Sequence, residues 1–137
     1  MARFARVVVA GCPHLVTQRG MRTREIFTSI HDREVYLQLM REQCRRFRVK
    51  VLAWCLMPRQ VHFVMVPAKT GKLASAVASA HLRYSRYRNF AEGGRGHLFP
   101  GRFGSCVLDK RHLRSAARYV ELNPVRAGLA RRAEAWP

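Results

Sequence analysis

The stretch VKVLAWCLMPRQVHFVMV, residues 49–66, decides the fold. Two runs of β-branched, aromatic and aliphatic residues, 49–56 and 61–66, stand on either side of the segment Met57-Pro58-Arg59. Runs of this composition on both sides of a short turn are typical of an antiparallel β hairpin. The stretch therefore predicts a two-stranded hairpin, and the rest of the chain is interpreted around it.

Hydrophobic periodicity predicts the other elements. In chain order we expect a strand region over 5–19 broken near Gly11-Cys12-Pro13, a helix over 31–47, the hairpin, a helix over 72–90, a glycine-rich loop over 91–101, a strand over 103–108 and a helix over 110–122. Asp109 suits the N-cap of the last helix, and Asn123 should end it because Pro124 disfavours helical backbone at the preceding residue. This order predicts one domain, residues 1–137. Its fold class is α+β: a ferredoxin-like sandwich with an antiparallel sheet, helices on one face and an added C-terminal helix.

The chain is strongly basic. Its 137 residues include 26 Lys and Arg against 8 Asp and Glu, which gives a formal net charge of +18. Such an excess favours a polyanionic partner, because each phosphate that a cation neutralises releases condensed counterions. A solubilising surface rarely needs so large an excess of one sign, so we expect a nucleic acid partner.

Other classes of protein are disfavoured. No apolar run reaches the ~20 residues that a membrane helix needs, so we expect no membrane partner. The apolar stretch near the N-terminus, residues 7–10, is too short for a signal peptide, which predicts a cytoplasmic protein. The four cysteines match no zinc template and are expected to be free thiols. The chain has no Gly-Lys-Ser/Thr phosphate-binding loop.

Two pairs of residues could carry chemistry. Strand alternation places Gln60 and His62 on one face, roughly 7 Å apart, where they could hold one ion. The alternative is that His62 is a packed core histidine. Tyr119 and Asn123 share a helix face at i and i+4, and the alternative there is that Tyr119 packs on the sheet while Asn123 caps the helix.

Arginines alternate with tyrosines in the helix over 72–90. Arg83, Arg86, Tyr87 and Arg88 form a composition that suits a track for single-stranded nucleic acid, with phosphates on the cations and bases on the rings. A solvated helix face with core tyrosines is the alternative.

Four blocks of sequence resemble the signatures of one family, in order and with ordinary spacing. They are residues 12–20 (CPHLVTQRG), 54–62 (WCLMPRQVH, against the family's YCLMPNHVH), 96–103 (GHLFPGRF, against GHLWQGRF) and 118–129 (RYVELNPVRAGL, against RYIELNPVRAGL). The chain thus resembles the REP-associated tyrosine transposases, which are single-tyrosine HUH (His-hydrophobic-His) transposases of the insertion-sequence type.

The resemblance implies a site and a substrate. Tyr119 would attack a DNA phosphodiester and leave a 5′-phosphotyrosine link with a free 3′-hydroxyl. His62 and Asn123 would ligate Mg²⁺ or Mn²⁺, and the substrate would be single-stranded DNA with a hairpin. Arg102 and Arg126 lie in the matching blocks and join the predicted DNA contacts. Relatives occur as monomers and as dimers, so a homodimer is one of two implied states.

One departure from the family pattern concerns the metal. Gln60 stands where the family has its first histidine. A Gln amide oxygen can still ligate a hard dication, although it is a weaker donor than imidazole for transition metals. The chain is therefore expected to be a DNA strand transferase that Gln60 impairs to some degree, or a hairpin-binding protein that no longer cleaves. An RNA-binding ferredoxin-like domain is a third and weaker hypothesis, because its strand-borne aromatic signature is not evident.

Overall fold

Seven elements make up the part of the chain that a computed structural model describes, namely residues 7–21, 24–94 and 98–126, with the backbone alone for 122–126. They are β1 (His14–Arg19), α1 (Ile30–Arg46), β2 (Val49–Met57), β3 (Gln60–Pro67), α2 (Lys72–Glu92), β4 (Gly104–Val107) and α3 (Lys110–Arg126). The predicted order of strands and helices is confirmed.

The strands form one antiparallel sheet in the order β2-β3-β1-β4. The predicted hairpin supplies β2 and β3, and β3 pairs with β1 on its other side. This register places His62 of β3 opposite Thr17 of β1 and Cys55 of β2. The predicted α+β fold, with its C-terminal helix, is confirmed.

Side chains of β3 alternate between two apolar layers. Phe63 belongs to the large core that α1 and α2 form with one face of the sheet. Val64 packs instead with Ala116 and Val120 of α3, on the opposite face. Because side chains of a strand point alternately to the two faces, His62 lies on the α3 face. The sheet is therefore covered on both faces, and α3 covers the one that carries His62.

Local signals explain where the helices begin and end. The Ser29 hydroxyl caps α1 by accepting the Asp32 N–H at 3.1 Å. The Asp109 carboxylate accepts the His112 N–H at 2.8 Å, as expected of the predicted N-cap of α3. α2 ends at Gly93, whose φ of 67° lies in the left-handed region that glycine adopts without strain.

Two predicted boundaries are wrong. The predicted break near Gly11-Cys12-Pro13 is confirmed, because the chain turns at Gly11 (φ 77°) and the Cys12 N–H bonds to the Val9 carbonyl, but residues 7–10 before the break do not form a strand. The last helix does not end at Asn123 but continues through Pro124 to Arg126. Proline disfavours a helical residue before it without forbidding one, and it removes one backbone hydrogen bond. Within the described residues, no helix has the length and apolarity to cross a bilayer.

Candidate active site

Tyr119 and His62 meet where α3 packs on the sheet. Their ring centroids are 5.9 Å apart and the rings are inclined at 87°, an edge-to-face contact. Ala116 and Val120 are buried and hold α3 on the sheet, whereas Tyr119 keeps 39% of its surface exposed. The phenol therefore contacts the imidazole and also remains accessible to a substrate from solvent.

His62 is held by one hydrogen bond and is otherwise enclosed. Its side chain is 4% exposed, and its Nδ1 lies 3.1 Å from the Thr17 hydroxyl. Its Nε2 is buried and has no hydrogen-bond partner among the residues that the structure describes. Burial lowers the pKa of His62, and the positive charge of Arg19 lowers it further. The imidazole is therefore neutral near pH 7 and presents one nitrogen that is free to act as a ligand or an acceptor.

Gln60 begins β3 on the same face as His62. It is half-buried and stands opposite Arg19 of β1 and Met57 of β2. No register shift interrupts β3 between the two residues, so both side chains project toward the α3 layer. The structure thus brings Gln60, His62 and Tyr119 to one side of the sheet.

A cation at this place would depend on amide oxygens. The described residues contain no cluster of three His, Cys, Asp or Glu side chains that could hold a metal ion. Gln and Asn carbonyl oxygens are ligands of hard dications, and the unpartnered Nε2 of His62 supplies a nitrogen. Asn123 lies in α3 one turn after Tyr119, and its side chain is outside the described residues. These donors fit Mg²⁺ or Mn²⁺ better than a metal that needs thiolates or several imidazoles.

The arginines predicted to contact DNA lie in different places. Arg83 and Arg86 are exposed on α2, which packs on the sheet face opposite α3, so they do not line the Tyr119 site. Arg102 is exposed in the segment before β4. The side chain of Arg126, at the end of α3, is outside the described residues.

Arg88 has a structural position that is incompatible with the predicted DNA contact. It is 3% exposed, and its guanidinium donates to the Ile26 and Glu25 carbonyls. It also forms an ion pair with Glu92 at 2.6 Å and lies 3.9 Å from Asp32. Hydrogen bonds from Arg88 lower the pKa of Glu92 below its usual range. These contacts use the donors that a phosphate would need.

Tyr87 is partly committed to the same network. Its hydroxyl donates to the Asp32 carboxylate at 3.0 Å, and its side chain is half-buried. A base could reach only the part of the ring that stays exposed. The interpretation of α2 as an alternating track of cations and rings therefore retains only its two outer arginines, Arg83 and Arg86.

Two residues of the site were missed by the analysis of the sequence. Thr17 and Arg19 lie in the first family block, but nothing in the sequence said which β3 residues they would face. Both project to the same face as His62 because they alternate along β1. A hydroxyl and a cation at i and i+2 in a strand are a weak signal, and only the pairing of β1 with β3 gives it meaning.

Comparisons with known proteins concern the family and the fold. Residues 9–123 match the family model described as transposase IS200 like. The fold is similar to the REP-associated tyrosine transposase bound to a REP hairpin, with a TM-score of 0.82 at 18% identity over 100% of this chain and 81% of that chain. It is also similar to a candidate transposase of Deinococcus radiodurans R1, with a TM-score of 0.59 at 11% identity over 88% of this chain and 96% of that chain. No curated protein sequence matches the chain significantly.

The two structural similarities concern the fold, and the family model concerns the sequence itself. That model covers most of the chain and includes β1, the hairpin and the Tyr119 region of α3. The chain therefore belongs to the family of IS200-like transposases.

Proposed function

We propose that the protein is a DNA strand transferase that uses Tyr119 as its nucleophile on single-stranded DNA carrying a hairpin. The observation that carries this proposal is the contact between Tyr119 and His62 at the solvent border of α3, with rings 5.9 Å apart. A tyrosine that served only to pack α3 would be expected to turn its hydroxyl into the apolar layer formed with Ala116 and Val120. Instead Tyr119 stays partly exposed beside a buried histidine.

The substrate class rests on charge and on a relative. The net charge of +18 favours a polyanion over a neutral or acidic substrate. The structurally similar REP-associated transposase is bound to a REP hairpin, which supports hairpin DNA as the substrate here. The DNA would be single-stranded around the hairpin, where the backbone is free to approach the exposed part of Tyr119 on α3.

The proposed reaction exchanges one phosphoester for another. The Tyr119 oxygen attacks the phosphorus, the bond from phosphorus to the 3′ oxygen breaks, and that oxygen leaves as a 3′-hydroxyl. The phenol loses a proton and the leaving oxygen gains one, so protons balance with water as carrier. The covalent 5′-phosphotyrosine keeps the energy of the phosphodiester, and no nucleotide cofactor is needed for rejoining.

His62, Gln60 and Asn123 are the residues proposed to hold Mg²⁺ or Mn²⁺. The buried, unpartnered Nε2 of His62 supports this assignment, because such an atom costs free energy unless a ligand satisfies it. When bound, the ion would polarise the scissile phosphate and stabilise charge on its oxygens. The chain's own residues orient this ligand: β3 fixes the direction of His62, and Thr17 holds its other nitrogen.

A second function is supported by Gln60. A neutral amide in place of the first motif histidine weakens the donor set, so the same fold could grip a hairpin without cutting it. The Gln60→His variant separates the two functions. If the protein is an impaired transferase, this variant forms more covalent product than the wild type. A binding protein gains nothing from it.

The test uses a labelled pool of DNA hairpins with randomised stems and single-stranded flanks, because the target sequence is not specified by the structure. The pool is incubated with the protein and Mn²⁺, and adducts that survive denaturation are counted on a gel. We expect adducts with the wild type and none with Tyr119→Phe, while hairpin affinity changes by less than about threefold, since only one hydroxyl is lost.

Tyr87→Phe is the matched control, because it removes a tyrosine hydroxyl from the other side of the sheet. It should leave adduct formation intact. Adducts that persist in Tyr119→Phe would exclude Tyr119 as the nucleophile. Normal hairpin binding with no adduct in either the wild type or Gln60→His would favour the binding protein.

A further inference from the structure

A cleft of about 690 Å³ lies between α1 and the outer strand β2, on the sheet face opposite Tyr119. We call it the α1–β2 cleft and define it by its apolar floor of Met40 and Phe63, its wall at Trp54 and its rim of Arg41, Arg45, Arg48 and Lys50. Its volume falls within the range of ligand pockets in proteins. No step proposed for Tyr119 uses it.

The rim of the cleft carries charge of one sign. Arg41 and Arg45 are one turn apart on α1, Arg48 follows in the turn to β2, and Lys50 lies in β2. All four side chains are exposed, and no acidic residue is among the described residues that line the cleft. None of the ion pairs between described residues involves them. Arg48 has a φ of 57°, in the left-handed region, so it lies in a tight turn at the end of the cleft.

Trp54 adds a ring to these cations. It is 45% exposed although it is a large apolar residue in a strand. It stands opposite Phe63, so its side chain lies on the α1 face and borders the cleft. An exposed aromatic ring beside arginines is the combination that binds single-stranded nucleic acid, because the ring stacks on a base and the cations contact phosphates.

We propose that the α1–β2 cleft binds a single-stranded DNA segment that flanks the hairpin, with a base stacked on Trp54 and phosphates on Arg41, Arg45 and Arg48. This proposal rests on the proposed function, because it requires a DNA substrate. The cleft is distinct from the Tyr119 site, since the two lie on opposite faces of the same β2–β3 hairpin. β2 is an outer strand, so a flexible strand can pass around its edge from one face to the other.

Charge complementarity favours DNA over the other occupants. A second copy of the chain would bring another +18 into contact with four rim cations, which disfavours association through this surface. An anionic lipid surface would need a projecting patch, whereas Met40 and Phe63 lie at the floor of a concave cleft, each 2% exposed. A single DNA strand can enter the concave cleft and place a base on Trp54 while its phosphates contact the arginines of the rim.

The test compares two hairpin pools that share their stems, one with randomised single-stranded flanks and one trimmed to the stem. The ratio of their affinities isolates the contribution of the flank. We expect the wild type to bind the flanked pool more tightly, and Trp54→Leu to lower the affinity for that pool by at least about fivefold, which is the lower end of base stacking on an aromatic ring. The affinity for the trimmed pool should stay unchanged.

Arg45→Gln provides a second variant at an exposed position where folding is not at stake. It should reduce the ratio of flanked to trimmed affinity. For the flanked pool, the slope of the logarithm of the binding constant against the logarithm of the salt concentration should become shallower by about 0.7, which is the value for one lost phosphate contact on a single strand. Arg111→Gln is the matched control, because it removes the same charge from the start of α3 on the other face. It should leave the ratio unchanged.

Tryptophan fluorescence measures directly whether DNA contacts the Trp54 ring. In a Trp136→Phe background Trp54 is the sole tryptophan, and flanked DNA should quench it while trimmed DNA should not. A wild type that binds both pools equally, or a ratio that survives both cleft variants, would overturn the proposal. Binding of anionic vesicles or self-association through the cleft, without an effect of the flank, would also overturn it. Adduct formation at Tyr119 with the flanked pool is measured separately from affinity, so the proposed function can stand if the cleft proposal fails.

Discussion

Replacing Thr17 with valine should weaken the site without touching the nucleophile. The Thr17 hydroxyl lies 3.1 Å from Nδ1 of His62, and the two residues are direct partners across β1 and β3. We expect Nδ1 to carry the proton and donate it to this hydroxyl. The opposite tautomer would bury an N–H at Nε2 with no acceptor among the described residues, and an unsatisfied N–H is the rarer kind of buried polar group.

The size of the effect follows from this single contact. Thr17→Val keeps the shape of the side chain and removes the hydrogen bond, leaving a buried polar nitrogen that costs about 1–3 kcal/mol in the free energy of unfolding. Loss of the partner that orients a metal-ligating histidine costs about 10- to 100-fold in metal affinity. We therefore expect the Mn²⁺ concentration for half-maximal adduct formation to rise by about tenfold or more.

Two measurements check this expectation. Nitrogen chemical shifts of the His62 ring identify its tautomer in the metal-free protein, and His62→Gln identifies the His62 signals among those of the six histidines. A Mn²⁺ titration of adduct formation gives the change in metal requirement. Thr17→Ser is the control, because it keeps the hydroxyl and should restore both results. A wild type that carries the proton on Nε2, or an unchanged Mn²⁺ titration in Thr17→Val, would refute the reasoning.

Other consequences concern stability and metal. Burial lowers the pKa of His81 to about 3, so the unfolded chain binds a proton that the folded chain rejects and stability falls as the pH drops below about 6.5. When the pH falls from about 7.5 to about 5.5, the free energy of unfolding measured with urea should decrease by ~1.4 kcal/mol more in the wild type than in His81→Phe. Equal decreases in the two proteins would contradict this. Arg88→Met should lower the free energy of unfolding by about 3–5 kcal/mol, because the buried groups that bond to Arg88 lose their partner. Arg83→Gln, at an exposed position, should change it by less than about 0.5 kcal/mol. A stable Arg88→Met protein that loses DNA affinity would instead return Arg88 to the DNA contacts. Removal of divalent ions with EDTA should abolish adducts and Mn²⁺ should restore them, while adducts that persist in EDTA would argue against a metal.

Most of the fold was predictable because its signals are local. The hairpin follows from two β-rich runs around Met57-Pro58-Arg59, and the α3 N-terminus follows from Asp109. The errors came from backbone preferences that the surrounding structure modifies. Residues 7–10 were assigned to a strand, although the turn at Gly11 separates them from β1. Pro124 was expected to end the last helix, but proline disfavours a helical residue before it without forbidding one.

The site was less predictable, because it depends on pairing between distant segments. Thr17 and His62 are separated by 45 residues, and only the register of β1 against β3 places them together. Arg88 is a different case, since its burial could have been predicted. It follows Tyr84 by four residues, which places both on the helical stripe whose residues are buried.

The central claim is that Tyr119 forms the covalent bond to DNA. The most direct test digests the isolated adduct with trypsin and a nuclease and measures the masses of the peptides. Cleavage after Arg118 and Arg126 gives the peptide YVELNPVR, in which Tyr119 is the only residue with a hydroxyl side chain. The account predicts that this peptide carries the mass of a 5′-linked nucleotide. A modified peptide elsewhere in the chain, with YVELNPVR unmodified, would contradict it.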